Sequence, residues 1–86
     1  MTTEIWLRRG IPHQEDFAFF GVIHVDARPD HPLTVRLGVN ADEERRYTLE
    51  PGDTFPVRDE LWTLDRVVDP SGDWRVVIRK VEDQTD

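Results

Sequence analysis

The stretch from Arg45 to Val68 constrains the fold more than any other part of the chain. It reads as a strand ending near Leu49, a turn at Pro51-Gly52 and a short strand around Phe55 and Val57. A charged reversal at Arg58-Asp59-Glu60 comes next, and then an alternating strand from Leu61 to Val68. Pro51 pre-sets φ for the first central position of a turn, and Gly52 accepts the positive φ that a type II turn needs next. A chain that reverses twice in so few residues builds antiparallel sheet.

The flanking segments carry the same period of two. In Glu4-Ile5-Trp6-Leu7-Arg8-Arg9, Ile5 and Leu7 point one way and Trp6 and Arg8 the other. Gly10-Ile11-Pro12 ends that strand, and His13-Gln14-Glu15-Asp16 reads as a polar loop. The run Phe17 to Asp26 is the most apolar segment, with apolar residues on both faces at its Phe-rich end. A half-exposed strand alternates cleanly, so a second layer or a second subunit must cover that end. Two prolines in Ala27-Arg28-Pro29-Asp30-His31-Pro32 mark a loop. Leu33 to Val39 then alternates without fault, with Leu33, Val35, Leu37 and Val39 facing inward. Asp69-Pro70-Ser71-Gly72-Asp73 is a turn, and Trp74 to Val81 closes the sheet. No stretch holds helical periodicity beyond a turn near Asp42 to Tyr47. The expectation is an all-β, single-domain, antiparallel β-sandwich or barrel of six to seven short strands, ordered over about residues 4–81 with an acidic tail over 82–86. Val35, Leu37, Leu64, Val76 and Ile78 are the predicted core.

Composition narrows the function classes. The chain has 86 residues, enough for one modest core that buries roughly 60–65% of the unfolded surface. It has no cysteine, which excludes disulfides and thiolate metal sites. There is no membrane-length apolar run and no basic-then-apolar N-terminus, so the expected location is cytoplasmic, with no membrane partner. A net charge of −7 repels phosphate backbones, and no nucleic-acid partner is expected.

Several constellations invite chemistry. His24 and Asp26 share a strand face and His31 lies one loop away with Asp30, so His24, Asp26 and His31 are the candidate metal ligands; a site needs a third protein ligand beyond the strand pair, which only His13 or an unplaced carboxylate could supply. A triad is not supported: Ser71 is the only serine, and the three histidines all precede it in the first half of the chain. No glycine-rich phosphate loop is present. Trp6, Tyr47 and Trp62 are the candidate ligand-binding aromatics, although tryptophans at strand positions also serve as core anchors. Phe17, Phe19, Phe20 and Val22 are the candidate interface of a homodimer, because both faces of one strand are apolar in a chain too small to cover both.

Leu49-x-Pro51-Gly52-Asp53 is similar to a turn in cupin barrels, but the likeness stops there: no His-x-His precedes it and no histidine follows Pro51. A longer likeness runs through Leu33-Thr34-Val35-x-Leu37-Gly38-Val39, then Tyr47-x-Leu49-x-Pro51-Gly52-Asp53-Thr54-Phe55-x-Val57, then Trp62-x-Leu64-Asp65-Arg66-Val67, ending near Trp74. These residues resemble a family of small actinobacterial proteins of unknown function, and the order of parts matches it from Ile5 to Val81. The resemblance implies a compact all-β domain and brings no activity, cofactor or catalytic residue.

The function expected from the sequence is that of a non-enzymatic binding or accessory protein, without a cofactor and with an unidentified protein or small-molecule partner. The alternative is a carbohydrate or natural-product site in an aromatic-lined barrel mouth. A metal-dependent enzyme around His24 is the minor alternative.

Overall fold

A computed structural model of the chain describes residues 3–15 and 17–81. The expected acidic tail and Asp16 lie outside the described residues. Among the described residues eight strands form, not six or seven: β1 (Glu4–Arg8), β2 (His13–Glu15), β3 (Ala18–Asp26), β4 (Thr34–Asn40), β5 (Glu44–Leu49), β6 (Thr54–Val57), β7 (Glu60–Val68) and β8 (Arg75–Val81). They make two four-stranded sheets, ordered β1-β8-β7-β6 and β2-β3-β4-β5, and every strand pairing within them is antiparallel. The fold is therefore a sandwich. The chain starts in the first sheet, builds all of the second as a meander, then returns to complete the first. The closing strand β8 slots between β7 and β1.

The extra strand is β2. His13-Gln14-Glu15 looks like a loop because it is short and polar, yet it pairs with Phe20, Phe19 and Ala18 of β3. An edge strand needs only one neighbour, and polar residues there deter pairing with other chains. β6 is blunted in another way: Pro56, which has no N–H to offer, sits on that edge.

The Pro51-Gly52 turn has the expected form but a different consequence. Asp53 N–H donates to Glu50 C=O at 2.9 Å, and Gly52 holds φ at 97°. That is the type II signature. It is not a hairpin, because β5 and β6 lie in different sheets. The turn is pinned instead to β7, where Gly52 N–H donates to Leu64 C=O at 2.7 Å and Leu64 N–H donates to Asp53 C=O at 2.9 Å. The Thr63 hydroxyl donates to the same Asp53 carbonyl at 2.9 Å. This turn carries the chain from one sheet to the other. A Cβ added at Gly52 meets nothing within 4 Å, so only the dihedral opposes a side chain. Gly52→Val is accordingly expected to destabilise the fold by about 1–2 kcal/mol in urea titration. An unchanged midpoint would contradict the positive φ.

The core is the apolar content of both inner faces. Ile5 and Leu7 of β1 meet Phe55, Val57, Trp62, Leu64, Val76 and Ile78 within the first sheet, and Ala18, Phe20, Val35, Leu37, Val39 and Leu49 come from the second. Val35, Leu37, Leu64, Val76 and Ile78 are all fully buried, as their alternation requires. Two bulges adjust the faces. On β3 the register shifts between Val22 and His24, leaving Ile23 as an extra residue. On β7 it shifts between Leu64 and Arg66 at Asp65. Each extra residue flips the parity of the remainder of its strand. Val22 and Val25 can thus both pack on the core, as can Leu64 and Val67.

Candidate functional site

Because β5 and β6 are edge strands of different sheets, the sandwich has a seam between them. A groove of about 320 Å³ opens there, floored by Val39, Tyr47, Pro56 and Val57. Tyr47 is half-buried; its ring lies 5.6 Å from that of Phe55, and its hydroxyl donates to Pro56 C=O at 3.3 Å. The rim is charged, with Asp42 and Glu43 from the β4–β5 turn, Arg45 from β5 and Arg58 from the β6–β7 turn.

Arg58 organises this rim. It holds φ at 56°, in the left-handed region. A non-glycine residue there is uncommon, and Asp and Asn adopt it more readily than other types. Asp69, at φ 54°, is thus an ordinary occupant, and Arg58 is not. The guanidinium is bidentate on Asp42, with Nε donating to Oδ2 at 3.0 Å and the second nitrogen donating to Oδ1. It also sits 4.5 Å from the centre of the Phe17 ring, within cation–π range. One side chain from the first sheet therefore grips the β4–β5 turn and the residue before β3, both on the second-sheet side. The hydrogen bond from Arg58 is the main reason the Asp42 carboxyl lies below the usual carboxylate range. Arg45 is paired in turn with Glu43.

The sequence-predicted aromatics separate. Tyr47 lines the groove. Trp62 is only 2% exposed, its ring 5.1 Å from that of Phe20 and its indole N–H donated to Glu60 at 3.1 Å. It is a core residue and presents no surface to a ligand. Trp6 lies on the outer face of the first sheet, with its indole N–H donated to Glu4 at 2.9 Å and Arg66 at 5.2 Å from its ring centre. Val77, flanked in the ladder by Trp6 and Arg66, has no exposed surface although it points away from the core. Trp6 and Arg66 roof it.

The predicted interface also divides. Phe20 is 1% exposed and belongs to the core, Phe17 lies under Arg58, and Val22 packs partly against the core. Only Phe19 stands out, at 48% exposure. Of the candidate metal ligands, Asp26 is committed to Arg28, which donates to it from Nε at 2.9 Å and from a terminal nitrogen at 2.8 Å. Those bonds, with a further one from the Arg28 backbone, hold the Asp26 carboxyl down to about 2. His24 is exposed on the same strand. No group of three or more His, Asp or Glu converges among the described residues.

The residue that sequence reasoning missed is Arg58. Its signal is visible in retrospect: Val57 pairs with Glu60, so Arg58 and Asp59 form a two-residue hairpin turn with no glycine or asparagine at its centre. Such turns need positive φ, which glycine and asparagine supply most easily.

Comparison with known proteins found no match among the curated proteins and none among the solved structures. The model of a family of unknown function, DUF6406, matches residues 2–82, nearly the whole chain. The two four-stranded sheets, the seam and its Arg58 clamp thus all lie within the matched residues, and the chain belongs to that family of unknown function, DUF6406.

Proposed function

We propose that the protein is a non-enzymatic binding domain whose site is the seam between β5 and β6, taking a small ligand with an apolar body and an anionic group. The observation that carries this is Arg58: an arginine held at positive φ in the lining of the groove, where its guanidinium is fixed on Asp42. Backbone strain of this kind collects at ligand clamps. The volume, about 320 Å³, falls at the lower end of small-molecule pockets, which run from roughly 300 to 1,000 Å³. Val39, Tyr47, Pro56 and Val57 supply an apolar floor. Arg45 and Arg58 supply two guanidinium groups, each now held by a carboxylate of the chain itself, and a ligand carboxylate can take the place of either. Binding suits these groups better than turnover. The Asp42 carboxyl is pushed down, away from the near-neutral range that general acid–base catalysis uses.

The test is a melting-temperature screen against small aromatic carboxylates such as benzoate, phenylacetate and indole-3-acetate. At ten times the dissociation constant, binding to the folded state alone adds about 1.4 kcal/mol, a rise of roughly 6–11 °C. Arg58→Gly removes the guanidinium and relieves the dihedral together. It should leave the ligand-free melting temperature within about 4 °C of the wild type, since an exposed pair contributes little, while abolishing the ligand-induced rise. Absence of a rise across the wild-type screen would defeat the assignment, as would an equal rise in Arg58→Gly.

A further inference from the structure

The outer faces of the two sheets are built differently. That of the first is roofed by Trp6 and Arg66, with Arg66 also meeting Glu4 and Asp65 and Arg79 meeting Asp65. That of the second has a low centre, two half-buried glycines with the Ile23 side chain lying against one of them. Gly21 and Gly38 are direct cross-strand partners in the middle of β3 and β4. Neither has positive φ, so the backbone demands glycine at neither position. A Cβ at Gly21 would meet only Pro12 Cβ, at 3.9 Å, and one at Gly38 would make ordinary contacts, the nearest with Ile23 Cδ1 at 3.5 Å. Glycine weakens a strand interior and often marks a place where something else approaches closely. Here the pair floors a shallow depression of about 440 Å³. Beside it, on the same face, stand Phe19 at 48% exposure and Ile23 at 52%.

We propose that this face is a self-interface: a second copy of the chain packs on it, with Phe19 of each copy entering the glycine-floored depression of the other. The ladder shows why the occupant is a second copy. One row across the sheet reads Gln14, Phe19, Asn40, Glu44, and the row beside it reads Gly21, Gly38, Arg46. Same-face neighbours along a strand lie about 6.7 Å apart. A twofold axis in the plane of the face, running across the strands midway between the two rows, exchanges the rows while keeping each strand in its column. On β3 it sets Phe19 over the partner copy's glycine floor; on β4 it sets Asn40 over the other glycine of that floor. On β5 it sets Glu44 of one copy opposite Arg46 of the other, twice, so that the pair Arg46 makes with Glu44 of its own chain at 3.0 Å is joined by its counterpart into a four-charge cluster of alternating sign. A single operation therefore satisfies shape and charge together, as an isologous interface requires. Sheets stacked in this way lie about 10 Å apart, within reach of a phenylalanine side chain. The face spans only four short strands, so the interface falls at the small end of the usual range and the expected dimer is a weak one.

The experiment is analytical ultracentrifugation of the full chain across micromolar concentrations, with circular dichroism to verify that each variant stays folded. The wild type should pass from monomer to dimer. Phe19→Ser removes the knob and Gly21→Arg fills the hole; both positions have room, and each should raise the dimer dissociation constant at least about tenfold. Glu44→Arg and Arg46→Glu each place like charges opposite one another and should be monomeric alone. Mixed, they restore every opposite-charge pair and should form a heterodimer. A wild type that stays monomeric throughout overturns the proposal. So does a dimer that persists in Phe19→Ser and Gly21→Arg, or a mixture of the charge variants no more associated than either alone.

Discussion

Leu64→Ala is expected to lower the unfolding free energy by about 2–5 kcal/mol, and Leu37→Ala by a similar amount. Leu64 and Leu37 have no exposed surface and sit on opposing sheets, each surrounded by the side chains that join the two layers. Truncation removes transfer free energy and leaves a cavity that two braced sheets cannot close. A domain of this size has roughly 4–13 kcal/mol in total, so either substitution consumes a large part of it. The control is Leu61→Ala, three residues before Leu64 on β7 and 43% exposed, where the loss should stay under about 0.5 kcal/mol. Urea titration reads both, with the midpoint falling and the slope unchanged for Leu64→Ala. A loss below 0.5 kcal/mol at Leu64 or Leu37 (roughly the surface value) would place the core elsewhere.

The contrast between Leu61 and Leu64 also shows what was legible in the sequence. Strict alternation from Leu33 to Val39 marks the inner face of β4 correctly, and the chemistry of Pro51-Gly52 marks a type II turn, because φ preferences are local. Pairing is not local. Nothing near Pro51 says that Gly52 N–H will reach Leu64 C=O, and so the turn looked like part of one continuing sheet. The bulge at Ile23 hid the faces of β3 for a related reason: period-two reading carries one parity through the whole strand, whereas an inserted residue resets it halfway. β2 was missed because three polar residues acquire strand geometry only from their neighbour. At the candidate site, Tyr47 was legible as an aromatic on a half-buried strand. Arg58 was not, since its value lies in an ion pair to Asp42, sixteen residues earlier in the chain, and in the Phe17 ring.

Phe20→Ala should be the most damaging single truncation, at about 3–5 kcal/mol. Phe20 is among the largest fully buried side chains, and its ring lies 5.1 Å from Trp62 at an interplanar angle of 49°, joining the second sheet to the first. Tilted aromatic pairs at this separation contribute about 0.5–1.5 kcal/mol beyond the area they bury. A double-mutant cycle with Trp62→Phe should therefore return a coupling of that order. Phe20→Asp goes further, since it buries an unpaired carboxylate, and the expected result is loss of the native circular dichroism signal under conditions where the wild type is folded. Phe19→Ser, one residue earlier but on the opposite face, should shift the urea midpoint little. The adjacent pair thus assigns the two faces of β3 separately: one face holds the sandwich together, and the other is free to meet a second copy. Equal damage at Phe19 and Phe20 would mean that both faces are internal to a single chain, and a mild Phe20→Ala would mean that the two sheets do not meet at Trp62.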